Sequence, residues 1–190
     1  DLKWGLWETI ETRTFPGSVS NHHLGTLLGQ LMAAYEMNAF KDEYQKAVVE
    51  NAKHFAKCLA AEGLDVAGDP AIDYTETHQV IVKVGYAHGP EVADRLEANN
   101  IVCNYQATPE EEGFSASGAL RMGVNEMTRF GFGKEDFAKL AHLIADCVLH
   151  HANVKEEVKK LRAEHLEMKY CFSDKDTEEL LNAFASATGI

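Results

Sequence analysis

Ser117-Gly-Ala-Leu-Arg-Met-Gly-Val-Asn-Glu-Met-Thr-Arg-Phe-Gly-Phe-Gly-Lys-Glu-Asp-Phe137 joins a short apolar segment, through a run of glycines, to the start of an amphipathic helix. Ala119, Leu120, Met122 and Val124 predict a small half-buried strand, and Arg121 stands in the middle of it. A guanidinium in that setting needs an anionic partner to offset its desolvation. No Asp or Glu lies within three positions on either side. A planar fork of donors without a local carboxylate suits one brought from elsewhere. A remote Asp or Glu of the chain and a bound ligand both meet that requirement, and the residues alone leave the two readings open.

Working outward, residues 134–151 are amphipathic through Phe137, Leu140, Ala141, Ile144 and Val148, with Val154, Val158 and Leu161 continuing the pattern toward Met168 after a break at Asn153. Ser173 precedes a final helix expected over 176–184, with acidic residues in its first turn. Upstream of Arg121, residues 105–116 are rich in Glu, Gly and Ser and read as an exposed loop. Strands are expected at 64–67, 78–84 and 101–104, and a helix over 89–99 with Val92, Ala93 and Leu96 inward. Residues 41–62 form the clearest helix, with Gly63 as its C-cap. An earlier helix runs from Leu24 to about Asn38, capped by Ser20 or Asn21. These elements imply an α+β fold, a small mainly antiparallel sheet covered by helices with helical N- and C-terminal appendages. The expected division is 1–40 for the N-terminal segment and interdomain helix, 41–150 for the α+β domain, and 151–190 for a helical extension.

Two segments of the 117–137 stretch, Ser117 to Gly123 and Met127-Thr128-Arg129-Phe130-Gly131-Phe132-Gly133, together with Glu135-Asp136-Phe137, resemble the C-terminal signature of serine hydroxymethyltransferases, pyridoxal-phosphate (PLP) enzymes of fold type I. The resemblance covers residues 15–148. It implies that Arg121, between the two glycines, binds the α-carboxylate of a small amino acid such as serine or glycine. Further implications are PLP in the full-length enzyme, tetrahydrofolate or a related pterin as a second ligand, a homodimer and a cytoplasmic setting. In that family the catalytic domain and its Schiff-base lysine lie N-terminal to the turn matched by Phe15-Pro16-Gly17. Nothing upstream of that turn here resembles the lysine motif, so the chain is expected to be the C-terminal part of a longer enzyme and inactive alone.

The same resemblance assigns cofactor-phosphate contacts to Ser20 and Asn21, although the family's glycine pair is missing at that point. A helix N-terminus with small polar side chains is a phosphate-binding arrangement in its own right, and plain capping is the competing role. Folate contacts map onto Asn104, Tyr105 and Gln106, where the family carries Asn-Lys-Asn. His78 matches a family histidine at the start of a strand, with hydrogen bonding to the neighbouring turn as the alternative.

Composition narrows the classes. With 190 residues, 45% of them hydrophobic, the chain can bury a real core. A net charge of −12 argues against nucleic acid, whose phosphates draw on clustered Lys and Arg. No apolar run approaches the ~20 residues that span a bilayer, so no membrane association is expected. Cys58, Cys103, Cys147 and Cys171 lie far apart and read as reduced thiols rather than a zinc ribbon or disulfide scaffold. His22 and His23 point about 100° apart on a helix, as do His150 and His151, which disfavours a shared metal; none is expected.

Three functions emerge for test. The first is the carboxylate-binding part of a serine/glycine hydroxymethyltransferase. The second is a folate-independent PLP aldolase acting on β-hydroxy amino acids, which needs the same carboxylate clamp. The third is a non-catalytic binding or oligomerisation domain that keeps the fold.

Overall fold

A computed structural model describes residues 3–21, 23–108, 110, 111, 113 and 116–189. The chain divides into two compact units, Asp1–Ala39 and Phe40–Ile190.

The first unit contains α1 (Leu6–Thr12), an irregular turn (Arg13–Ser18) interrupted by extended Phe15, and the beginning of α2 (Leu24–Ala61). Trp4, Trp7, Ile10, Leu24, Leu28 and Leu31 are all exposed, so this unit has no core of its own. Because α2 starts at Leu24, its flanking residue is His23, whose carbonyl accepts from the Leu27 N–H at 3.0 Å. Ser20 and Asn21 therefore do not cap it, since a cap reaches amides only two or three residues downstream. Nor does the helix break between 38 and 41. Ala39 and Phe40 put neither Gly nor Pro in the way, and α2 runs unbroken for 38 residues.

In the second unit α2 buries Tyr44, Val48, Ala52, Phe55 and Leu59, spaced by three or four residues along one face. It ends in a Schellman arrangement at Gly63, φ +93°, with Leu64 N–H donating to the Leu59 carbonyl and Gly63 N–H to the Ala60 carbonyl, both at 3.1 Å. The remaining elements are β1 (Asp65–Val66), β2 (Gln79–Lys83), α3 (Gly89–Ala98), β3 (Asn104–Gln106), β4 (Ala119–Gly123), α4 (Asn125–Arg129), α5 (Lys134–His150), α6 (Lys155–Ala163) and α7 (Asp174–Thr188).

The four strands form one antiparallel sheet in the order β1-β2-β4-β3. Val80 pairs with Met122 and Val82 with Leu120, and these four side chains join Phe55, Leu59, Leu96, Phe137 and Ile144 in a single core. Alternation puts Gln79, Ile81, Lys83, Arg121 and Gly123 on the other face. Hence the expected α+β architecture, with helices packed on one side of a small sheet.

Several boundaries differ from expectation. The third strand lies at Asn104–Gln106, not 101–104, because Asn100 turns the chain at φ +64° and residues 101–103 diverge from β4. A short helix, α4, occupies part of the glycine-bounded stretch after β4. Helix α5 ends at His150, one residue early, with His151 as its C-cap at φ +55°, and α6 stops at Ala163 rather than reaching Met168. Ser173 and Asp176 form a reciprocal capping box that starts α7 at Asp174, two residues early. Among the described residues no helix is long and apolar enough to cross a membrane. All four cysteines are free.

Candidate active site

Arg121 is the central residue of β4, directly between Ile81 of β2 and Asn104 of β3. Its two neighbours in sequence, Leu120 and Met122, point into the core, which fixes the arginine on the opposite face. There it is half-buried and contributes to a cavity of about 650 Å³ that opens where β3 leaves the side of β4. Among the described residues no carboxylate lies within ion-pair distance of its guanidinium, and none hydrogen-bonds it. The nearby cation Lys83 is matched, at 3.5 Å, by Glu110. A remote Asp or Glu as structural partner of Arg121 is thus not found at ion-pair distance among the described residues, although the Glu126 carboxylate lines the same cavity.

The two glycines that bracket the arginine are explained by close approach. A Cβ on Gly118 would collide with the Glu111 carboxylate and come within 2.9 Å of the Gly85 carbonyl oxygen. That carboxylate accepts from the N–H groups of Thr108, at 2.7 Å, and Gly118, at 3.1 Å, tying the loop to the start of β4. A Cβ on Gly123 would stand 2.9 Å from the Asn125 Oδ1. At the same end of the strand the His78 carbonyl accepts from Val124 N–H at 3.1 Å, so His78 closes the β2–β4 pair through its main chain.

The triplet Asn104-Tyr105-Gln106 is split by the pleat. Asn104 pairs with Arg121 and Gln106 with Ala119, placing both on the arginine's face. Tyr105 pairs with Leu120 and packs instead beside Gly89, at the start of α3, where an added Cβ would come within 3.0 Å of the Tyr105 Cβ. Tyr105 thus stands on the sheet face away from Arg121. Ser20 and Asn21 lie in the first unit and are both exposed.

Gln79, Glu126 and Arg162 also line the cavity, and sequence reasoning gave them no role. The parity of β2 carried a signal for Gln79, which shares a face with Ile81 and hence with Arg121. For Arg162, forty-one residues downstream on α6, no local pattern pointed to this place. Cys103 lines the cavity as well, and burial pushes its thiol up to about 11, so it stays protonated and is no nucleophile near neutral pH. Among the described residues no cluster of three His, Cys, Asp or Glu side chains is placed to hold a metal ion. The site offers a guanidinium for an anion, amides for polar ligand edges, and apolar neighbours such as Val102 and Met127.

A model of the family described as serine hydroxymethyltransferase matches residues 1–144. A serine hydroxymethyltransferase of Sulfolobus acidocaldarius is 37% identical over 177 residues, 90% of this chain and 41% of that protein. One from Pyrobaculum aerophilum is 39% identical over 170 residues, 88% of this chain and 39% of its own length. The chain thus spans about two fifths of the curated relatives it matches. Among solved structures, an L-threonine transaldolase from Pseudomonas fluorescens in its internal aldimine state superposes with a TM-score of 0.84 at 29% identity, covering 98% of this chain and 43% of that one. From the signature around Arg121 and the family match over three quarters of its residues, the chain belongs to the serine hydroxymethyltransferase family.

Proposed function

We propose that this chain is the C-terminal part of a PLP-dependent enzyme that transfers a hydroxymethyl group between serine and glycine, and that Arg121 binds the α-carboxylate of the amino acid. The observation that carries the reading is the half-buried guanidinium on the open sheet face with no carboxylate among the described residues at ion-pair distance. A bidentate pair with the substrate supplies the missing charge and fixes the orientation of Cα. PLP, when bound, provides the electron sink for bond cleavage. In this reading Ser20 and Asn21 contact its phosphate, being exposed polar residues just ahead of the α2 N-terminus. No lysine here stands in the family's cofactor-lysine context, so the chain by itself is inactive. The functional unit is a cytoplasmic homodimer.

Asn104 and Gln106, on the arginine's face, are the proposed contacts for tetrahydrofolate or a related pterin. A folate-independent aldolase is the second reading. The Asn104-Tyr105-Gln106 departure motivates it, and the likeness to a threonine transaldolase is compatible with it. Serine cleavage by the full-length protein, monitored with and without tetrahydrofolate, separates them. Strong saturable stimulation supports hydroxymethyl transfer, and equal rates with and without folate overturn it.

A further inference from the structure

Residues 162–172 do not form a loose tail. They wrap the segment that continues directly from the arginine strand. The Arg162 guanidinium lies over the Phe130 ring, 4.4 Å from its centroid, and donates to the His165 carbonyl. The His165 imidazole packs on Phe132 at 4.5 Å and reaches Asp136, at the first turn of α5, at 3.4 Å. Lys169 N–H donates to the Arg129 carbonyl at 2.6 Å, which satisfies the last residue of α4. Tyr170 stacks at 5.2 Å on Tyr44 of α2, and Phe172 at 5.8 Å on Phe40. Tyr44 in turn donates its hydroxyl to the Asn125 carbonyl at 3.0 Å. Tyr170 makes its contact from a left-handed backbone, φ +54°, an uncommon and costly conformation for a bulky residue that persists only where its surroundings fix it.

These contacts converge on a weak point of the sheet. Strand β3 pairs with β4 only from Ala119 to Arg121, so Met122 and Gly123 are held on the β2 side alone. The next element, α4, is a helix of only five residues, too short to be stable by itself. Whatever anchors α4 sets where the C-terminal half of β4 ends, and with it the aim of a long side chain that must meet a carboxylate in bidentate geometry.

We infer that residues 162–172 form a positioning strap, with Tyr170 acting through Tyr44 and Asn125 to hold α4 and so the register and orientation of Arg121. The inference rests on the proposed carboxylate role of Arg121 for its functional consequence. Its structural content stands separately. Residues 145–190, which include the strap, lie beyond the stretch that the family model matches.

The test compares Tyr170→Phe, which keeps the ring, with Tyr170→Gly, which relieves the backbone but removes it. In the 190-residue chain, hydrogen exchange of residues 122–132 is expected to speed up about two- to thirtyfold in Tyr170→Gly, with the amides around Phe55 and Leu59 unaffected, and to stay as in the parent in Tyr170→Phe. In the full-length protein, KM for the amino acid should rise by a similar factor while kcat at saturation and the cofactor absorbance hold. Unchanged exchange at 122–132 in Tyr170→Gly overturns the strap, as does unchanged KM where Arg121→Lys loses affinity. If Arg121→Lys itself leaves amino acid affinity intact, the proposed function falls while the exchange result still decides the strap. Should Tyr170→Gly yield no folded protein, Tyr170→Leu is read in its place by the same outcomes.

Discussion

Asn104 stands directly across the β3–β4 pair from Arg121, while Tyr105, one residue along, is turned to the other face against Gly89. The pairing makes a selective statement about a ligand held at the arginine. Asn104→Ala and Gln106→Ala should each weaken pterin binding by about two- to tenfold, the worth of one hydrogen bond. Tyr105→Ala should leave it alone. Titration of the three full-length variants with tetrahydrofolate checks this, and a loss confined to Tyr105→Ala would contradict the register argument.

Arg121→Ala is expected to separate binding from stability. With no ion pair to break among the described residues, the unfolding free energy of the chain should move by less than about 0.5 kcal/mol. Amino acid binding by the full-length protein should lose roughly 1.5–3 kcal/mol, the value of a charge-assisted contact, without loss of the cofactor. Denaturant unfolding of the chain and titration with glycine, read by cofactor absorbance, measure the two quantities. A variant that unfolds early yet binds glycine normally would assign Arg121 to the structure instead.

The chain alone should bind PLP only adventitiously. After incubation with PLP and borohydride reduction, peptide mapping should find sparse modification scattered over surface lysines. Stoichiometric labelling of a single lysine would mean that the cofactor site is complete within these residues.

Asn51 should prove a costly position. Its buried amide donates to the Thr128 Oγ1 and to the Phe132 carbonyl, each at 3.0 Å, fastening α2 to α4 and to the turn that follows it. Asn51→Ala strands those acceptors out of water, and a loss of about 1–3 kcal/mol is expected in denaturant unfolding. Phe137→Ala, at the fully buried meeting point of Phe55 and Phe132, should cost about 3–5 kcal/mol.

His142 gives a pH signature. Its hydrogen bond to Glu62, with the charges of Asp146 and Glu62, raises its pKa. A raised histidine contributes stability that is full below the unfolded value near 6.5 and disappears as pH rises through the folded value. His54, on α2, is shifted the other way, chiefly by burial, so its contribution is present above that unfolded value and is lost on acidification. The parent curve sums the two. His142→Gln should therefore lose stability relative to the parent below about pH 6.5, with the gap closing at higher pH. A gap that is constant with pH would show that the ion pairs play no part.

How much of this was legible beforehand depended on whether the decisive signal was local. The α5 stripe from Phe137 to Val148 and the Gly63 cap each rest on residues a few positions apart, and both were readable. The arginine's candidacy was also local, because the missing acid showed in the six residues around it. Strand β3 was misplaced because Ile101 and Val102 carry the β propensity, whereas a turn at Asn100 decides where pairing begins. Helix α4 was missed since its support comes from Tyr44, Asn51 and Lys169, each forty or more residues away. The cavity wall from α6 is non-local for the same reason.

The brevity of the two outer strands has a consequence for solubility. Strand β1 offers two residues and β3 three, so either margin of the sheet can template only one or two rungs of foreign main chain. Intermolecular zippering needs longer, flatter margins than these. A face that carries half-buried Ile81 beside a charged arginine can thus stay partly open during synthesis and assembly without seeding fibrils, which leaves it available for whatever ultimately packs there.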